Sequence, residues 1–321
     1  MKTAIVTDST CYLTDKEIEE NNITVVPIPV IIDGKSYKEG VDITTEEFYE
    51  RLRTSQSFPS TSQPPLGEMI ELYQDLAKQG YENIISIHLA STISGLVASL
   101  KSLEGTIDGV NLVVYDSQLT IRLMGVLALE AARMAKEDAD INDIIARLDF
   151  LRSTFDEYFV VDDLQNLVRG GRLSNASAFV GSLLKIKPIL TFNDKHEIVA
   201  FEKVRSRKKA MARVEKLFAE AYKSVDYPLR AVVIHANDEK SAIKWRESLK
   251  EKYPSLPIDI SYFGPVIGTH LGEKAIALAW LIDYTKNKRI TVGCQELPEV
   301  IRLVNSRVRK APRVFFIWLF E

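Results

Sequence analysis

Three short apolar runs in the first 120 residues each empty into a hydroxyl-rich loop, and a helical pattern follows each loop. Residues 4–7 lead into Asp8-Ser9-Thr10. Residues 83–88 lead into a loop that carries Ser91, Thr92, Ser94 and Gly95. Residues 111–115 lead into Asp116-Ser117-Gln118. Strand, loop and helix in alternation is the repeat of a parallel α/β sheet. Parallel strands end on a common edge, so the polar loops converge where such sheets bind ligands. Residues 1–157 are therefore expected to form a doubly wound α/β domain with a parallel sheet.

Between the first two of these strands the chain carries Ser60-Thr61-Ser62-Gln63-Pro64-Pro65. Four consecutive side chains there hydrogen-bond, and none is charged. Pro64 and Pro65 stiffen the exit, and Pro65 suits the first position of the next helix. A polar hook just before a helix N-terminus can hold an anion with backbone N–H groups and the positive end of the helix dipole. An ordinary loop with an N-cap would give the same hexapeptide. Upstream, residues 15–22 read as a helix and 24–32 as one strand. Asp33-Gly34 marks a hairpin turn, and Thr44 with Glu47 makes a capping box. Downstream, the helix over 66–79 stops at Gly80.

The texture changes near residue 158. Strands are expected over 158–161, 187–193, 197–204, 230–235 and 258–263, with helices over 206–223 and 239–252. The strand at 258–263 empties into a glycine-bounded loop holding Thr269 and His270, and a helix is expected from there to about residue 283. This is a second α/β domain, 158–283, of mixed sheet type. An apolar helix over 175–184, with Phe179, Val180, Leu183 and Leu184, reads as core or as the wall of an apolar cavity. Residues 284–321 form a C-terminal extension with eight Lys or Arg against three Glu.

Composition narrows the functional classes. At 321 residues, 46% hydrophobic, the chain can bury a sizeable core, and its net charge of −3 argues against a nucleic-acid partner. Cys11 and Cys294 lie far apart with no metal-type spacing, which fits a reduced, cytoplasmic setting. His88, His196, His235 and His270 are scattered, and no metal cluster stands out. No Walker or dinucleotide fingerprint follows any expected strand. Ser94 sits at a strand-to-helix turn, but its surroundings are not G-x-S-x-G. It reads better as a neutral donor facing an anion than as the nucleophile of an acyl hydrolase or acyltransferase. Arg169 and Arg172 flank Gly170-Gly171 and are expected to be exposed, either as a solvated turn or to dock an acidic or phosphate-bearing partner.

These motifs, taken in order, resemble those of the DegV family. The resemblance covers about residues 2–283 and rests on Asp8-Ser9-Thr10, Thr61-Ser62-Gln63-Pro64, Ser91 to Gly95, Asp116-Ser117, Gly170 to Ser174, Lys187-Pro188-Ile189-Leu190 and Gly268-Thr269-His270. It implies two α/β domains of the type shared with dihydroxyacetone kinase, with a ligand tunnel between and within them. It implies a buried long-chain fatty acid, held at its carboxylate by Thr61, Ser62, Ser94, Thr269 and His270. Asp8, Ser9, Ser91, Asp116 and Ser117 would be supporting polar loops. The chain itself would not be an enzyme and would carry no metal or cofactor. A separate fatty acid kinase subunit, docked at Arg169 and Arg172, would supply ATP and metal ions and form the acyl phosphate used in phospholipid synthesis. Transient contact with a membrane surface is a further expectation. The sequence departs from the family pattern at Ala90, Leu96 and Glu273-Lys274.

Overall fold

The computed structural model describes residues 2–179 and 186–286. In chain order the first strands are β1 (Thr3–Asp8), β2 (Ile23–Val26), β3 (Pro29–Ile32), β4 (Lys35–Lys38), β5 (Ser60–Thr61), β6 (Asn83–His88) and β7 (Asn111–Asp116). They are followed by β8 (Asp156–Val160), β9 (Ile189–Phe192), β10 (Ile198–Glu202), β11 (Leu229–His235), β12 (Ile258–Tyr262) and β13 (Ile276–Ile282). The helices are α1 (Asp15–Asn21), α2 (Thr45–Thr54), α3 (Leu66–Lys78), α4 (Leu96–Lys101), α5 (Ile121–Lys136) and α6 (Ile141–Ser153), then α7 (Gln165–Arg169), α8 (Arg207–Ser224), α9 (Glu239–Lys252) and α10 (Pro265–Leu271).

A four-stranded sheet in the order β2-β1-β6-β7 is parallel throughout. The loops after β1, β6 and β7 therefore share one edge, as the strand-end pattern implies. A six-stranded sheet runs β10-β9-β8-β13-β11-β12; only its β11–β12 pair is parallel. A small antiparallel sheet, β4-β3-β5, completes the fold. The chain is thus an α/β protein with one parallel and one mixed sheet.

Three sequence expectations change. The single strand over 24–32 is two strands in different sheets. Pro27 and Pro29 interrupt the run, and proline offers no N–H to a ladder, so the chain leaves one sheet after Val26 and enters another at Pro29. The hook is not wholly a loop. Ser60 and Thr61 pair with Ile31 and Val30, which fixes where Thr61 points. The largest change lies at the C-terminal end. The glycine-bounded segment forms α10, and the helix expected before residue 283 is β13, inside the six-stranded sheet. Every residue of β13 is buried. A strand covered on both faces reads as a continuous apolar run and carries no period of two to distinguish it from a buried helix. The apolar helix over 175–184 begins as a 3-10 turn at Ala176–Phe179; residues 180–185 lie outside the described residues, as does the extension beyond residue 286.

Alternation along β8, β13 and β11 separates two cores. Tyr158, Val160, Leu278, Trp280 and Val233 pack with Val214, Phe218 and Trp245 of α8 and α9. Phe159, Ala277, Ala279, Val232 and Ile234 turn to the other face, toward the parallel sheet and its helices. Successive strand residues point to opposite faces, so one strand serves both cores.

α10 is held between these parts. It packs against α2, α7, β3 and β5. The Tyr49 hydroxyl donates to the Phe263 carbonyl at 2.8 Å just before the helix begins. Gly268 is required by close packing: a Cβ there would come 2.6 Å from the Tyr49 hydroxyl oxygen and 2.9 Å from the Phe48 ring. Gly268→Ala is expected to destabilise the protein by about 1–3 kcal/mol, although alanine is the better helix former. Urea unfolding measures this, and an unchanged or raised midpoint would refute the packing argument.

Candidate functional site

A cavity of about 240 Å³ lies between the polar loop edge of the parallel sheet and the inner face of the six-stranded sheet. The hook contributes Thr61, Ser62 and Gln63, and the loop after β6 contributes Ile93, Ser94 and Gly95. The start of α5 adds Thr120, Ile121 and Leu123, and α10 adds Val266, Ile267, His270 and Leu271. The sheet wall includes Glu157, Phe159, Phe192, Ile198 and Ala277.

The polar groups meet at one end. Thr61 Oγ1 lies 3.0 Å from His270 Nε2, joining residues 209 positions apart. His270 Nδ1 has no hydrogen-bond partner and faces Gly170, where a Cβ would approach it to 2.5 Å. Arg172 bonds the Gly170 carbonyl, and its Nε donates to the Ile93 carbonyl at 3.1 Å, beside Ser94. The Gln63 carboxamide sits against Gly95 and accepts from the Ser99 hydroxyl at 3.0 Å. These contacts form a closed circuit of hook, histidine helix, arginine turn and serine loop. From that end the wall runs inward along β8. Val160 pairs with Ile276 near the end of α10, and Glu157 lies three residues deeper, about 10 Å at strand spacing. The cavity therefore has a polar head and a mainly carbon-lined body.

His270 remains neutral under ordinary conditions. Burial, aided by the nearby Arg172 charge, lowers its pKa to about 4. A neutral imidazole carries one N–H. With that proton on Nε2 it donates to Thr61 Oγ1, and the Thr61 hydroxyl proton is free to reach a ligand. The head then offers hydroxyl donors without a lysine. The two arginine hydrogen bonds go to backbone carbonyls. Ser94 Oγ accepts the Leu96 N–H at 3.2 Å, so it also helps to start α4. Among the described residues it has no histidine or carboxylate hydrogen-bond partner.

Of the residues expected to hold a carboxylate, Thr61, Ser62, Ser94 and His270 come together at the head. Thr269 does not. It is buried, and its hydroxyl donates to the Pro265 carbonyl at 2.8 Å within α10. The supporting loops form the scaffold behind the head. Asp8 is fully buried and accepts from Thr10 N, Thr10 Oγ1 and Leu89 N, with His88 Nδ1 at 3.0 Å. Asp116 accepts from Ser91 N and Gln118 N, and the Ser117 hydroxyl donates to the Leu119 carbonyl. Ser9 bonds Glu39 and accepts the Ile28 N–H. The two arginines divide. Arg169 is exposed and lies over the Phe58 ring at 5.0 Å. Arg172 departs from the exposed position expected of it and turns into the cavity wall, because two backbone carbonyls accept from it there.

Three features carried no sequence signal. Ile121 adopts φ 63°, an unusual left-handed conformation for a β-branched residue, at the cavity edge. Glu157 is buried in the far wall, where its Oε1 accepts the Phe192 N–H at 3.4 Å. Glu39 is buried beside the start of α10.

A fold and site of this kind define an α/β protein with a mainly apolar cavity that has a polar mouth. Family comparison gives the more particular statement. The DegV family model, described as "Uncharacterised protein, DegV family", matches residues 2–283, and the chain belongs to that family. It is 50% identical over 281 residues to a DegV domain-containing protein of Listeria innocua, covering 88% of this chain and 99% of the relative. It is 45% identical over 281 residues to Protein DegV of Bacillus subtilis, covering 87% and 99%. Among solved structures it resembles the crystal structure of DegV, a fatty acid binding protein from Bacillus subtilis, with a TM-score of 0.80, 43% identity and coverage of 88% and 99%. A fatty acid binding DegV family protein from Streptococcus agalactiae gives 0.82, 35% identity and the same coverage. Among the described residues, no helix is long and apolar enough to cross a membrane.

The His270 environment gives a signed pH test. Its folded pKa lies below the unfolded value of about 6.5, so the unfolded chain binds more protons between the two. This contribution to stability is present above pH 6.5 and is lost as pH falls toward 4, up to about 3 kcal/mol. Denaturant unfolding of wild type and His270→Gln is expected to show a wild-type stability loss over that window that the variant lacks. Parallel pH profiles would contradict it.

Proposed function

We propose that the protein binds one long-chain fatty acid, with the carboxylate at the Thr61–Ser62–Ser94–His270 head and the acyl chain along the inner sheet face. The observation that carries this reading is the joining of a hydroxyl-bearing head, with Arg172 in its wall, to a mainly carbon-lined body in one cavity. The fatty-acid-binding relatives support it. Burying about 15 methylenes at about 0.8 kcal/mol each gives on the order of 12 kcal/mol gross, from which ordering costs subtract.

The head also favours presentation of the ligand to a partner over catalysis by this chain. The Thr61, Ser62 and Ser94 hydroxyls are neutral donors, and Arg172 spends its Nε and Nη1 bonds on the Ile93 and Gly170 carbonyls, so a carboxylate bound by the hydroxyls keeps a nucleophilic oxygen. A separate kinase subunit would transfer the γ-phosphoryl group of ATP to that oxygen, giving acyl phosphate and ADP. Arg169, exposed beside the hook, is the outward-facing candidate for docking such a partner, while Arg172 fixes the serine loop. A hydrolase using Ser94 is the competing reading, and the lack of a base bonded to Ser94 among the described residues weighs against it.

Solvent extraction of the purified protein followed by mass spectrometry is expected to find close to one fatty acid per chain. Delipidated protein is expected to rebind palmitate or oleate, and Ser94→Ala to weaken that binding about tenfold or more, as for loss of a hydrogen bond to a charged group. Absence of both bound lipid and uptake would refute the reading. Turnover of acyl esters, lost in Ser94→Ala, would favour the hydrolase.

A further inference from the structure

His270 reaches the head only because α10 is oriented correctly, and the start of that helix is held from outside its own sheet. Glu39 follows β4, and its own N–H donates to the Ile28 carbonyl at 3.1 Å. Its buried carboxylate makes three contacts. Oε1 accepts the Val266 N–H at 2.9 Å, across 227 positions of sequence. The Tyr12 hydroxyl lies 3.4 Å from Oε1, and the Ser9 hydroxyl bonds Oε2. Val266 lies at the second position of α10, where an N–H has no carbonyl within the helix. Gly264 leaves just enough room for this contact: a Cβ there would come 2.6 Å from the Tyr12 ring and 2.7 Å from Glu39 Oε1.

We propose that Glu39 is a positioning residue, whose carboxyl oxygen holds the N-terminus of α10 and thereby sets the direction in which His270 meets Thr61. α10 has seven residues, so a tilt at Val266 carries directly to His270 one turn later. Behind the helix, Tyr49 and Gly268 act as the fulcrum; in front, Thr61 receives the ring. Glu39 has no lysine or arginine in an ion pair among the described residues. Burial pushes its pKa up to about 7, and either protonation state keeps an acceptor oxygen for Val266. The holding group is thus an acceptor and not a charge, which separates Gln from Leu at this position. Gln keeps the acceptor and can turn its amide N–H toward the Ser9 hydroxyl. Leu keeps the approximate volume and loses the acceptor.

The role rests on the fatty-acid reading only for what the head binds. Its test uses the full chain and reads the histidine ring without ligand. Imidazole NMR signals of His270 are assigned by their loss in His270→Gln, then compared in Glu39→Leu and Glu39→Gln. Glu39→Leu is expected to move the His270 signals and to weaken palmitate binding at least tenfold. Glu39→Gln is expected to restore the signals and bring affinity back to within about threefold of wild type. A folded Glu39→Leu protein with unchanged His270 signals overturns the proposal, and so does a Gln variant as disturbed as Leu. If Glu39→Leu does not fold, Gly264→Ala decides. Its Cβ would come 2.7 Å from Oε1 with Glu39 in place, so it is expected to displace the Val266 contact and move the same signals, and unchanged signals overturn the proposal. Wild-type protein that binds no fatty acid would refute the ligand reading alone, because the ring signals are read independently of it.

Discussion

The site depends on one hydrogen bond, Thr61 Oγ1 to His270 Nε2 at 3.0 Å. Each partner is delivered by a different part of the fold. Thr61 is fixed by β5 pairing on β3, and His270 by a short helix between β12 and β13. Neither side chain would be placed by its local sequence. The bond joins two sides of the cavity head, and a buried neutral imidazole beside a hydroxyl makes a donor without adding a charge. It also gives the surrounding glycines a physical reason. Gly170 gives the ring space, Gly268 lets α10 approach α2, and Gly264 admits Glu39 and Tyr12.

The body of the cavity follows from strand alternation. β8 and β13 place Phe159, Ala277 and Ala279 on one face while Tyr158, Leu278 and Trp280 fill the opposite core. The small residue Ala277 helps leave space on the first face, and the aromatic residues on the second anchor the sheet. A flexible chain can lie along such a wall with dispersion and burial as its main rewards. Orientation then has to come from the head.

Much of this is legible in the sequence, for identifiable reasons. β1, β6 and β7 are short apolar runs ended by polar loops, so both their type and their common edge could be read. The Thr44–Glu47 capping box and the Asp33-Gly34 turn are local chemistry and appear as expected. Thr61, Ser62 and Ser94 stand out because hydroxyl clusters at helix starts are visible without tertiary structure. The failures are also physical. β13 has no polar face to set its period, and α10 was masked by its flanking glycines. Thr269 shares the motif of His270 but turns its hydroxyl back to Pro265. Arg172 looks like a solvated turn until its partners, the Ile93 and Gly170 carbonyls, are placed beside it. Glu39 is invisible in sequence, since nothing local shows that a helix from the far end of the chain will bury it.

A crystal structure of the delipidated protein reloaded with palmitate would show where the ligand lies. The carboxylate is expected at the head, with its oxygens within hydrogen-bonding distance of the Thr61 and Ser94 hydroxyls and the chain running past Phe159 toward Glu157. A palmitate bound with its methyl end at the head, or outside this cavity altogether, would contradict this placement.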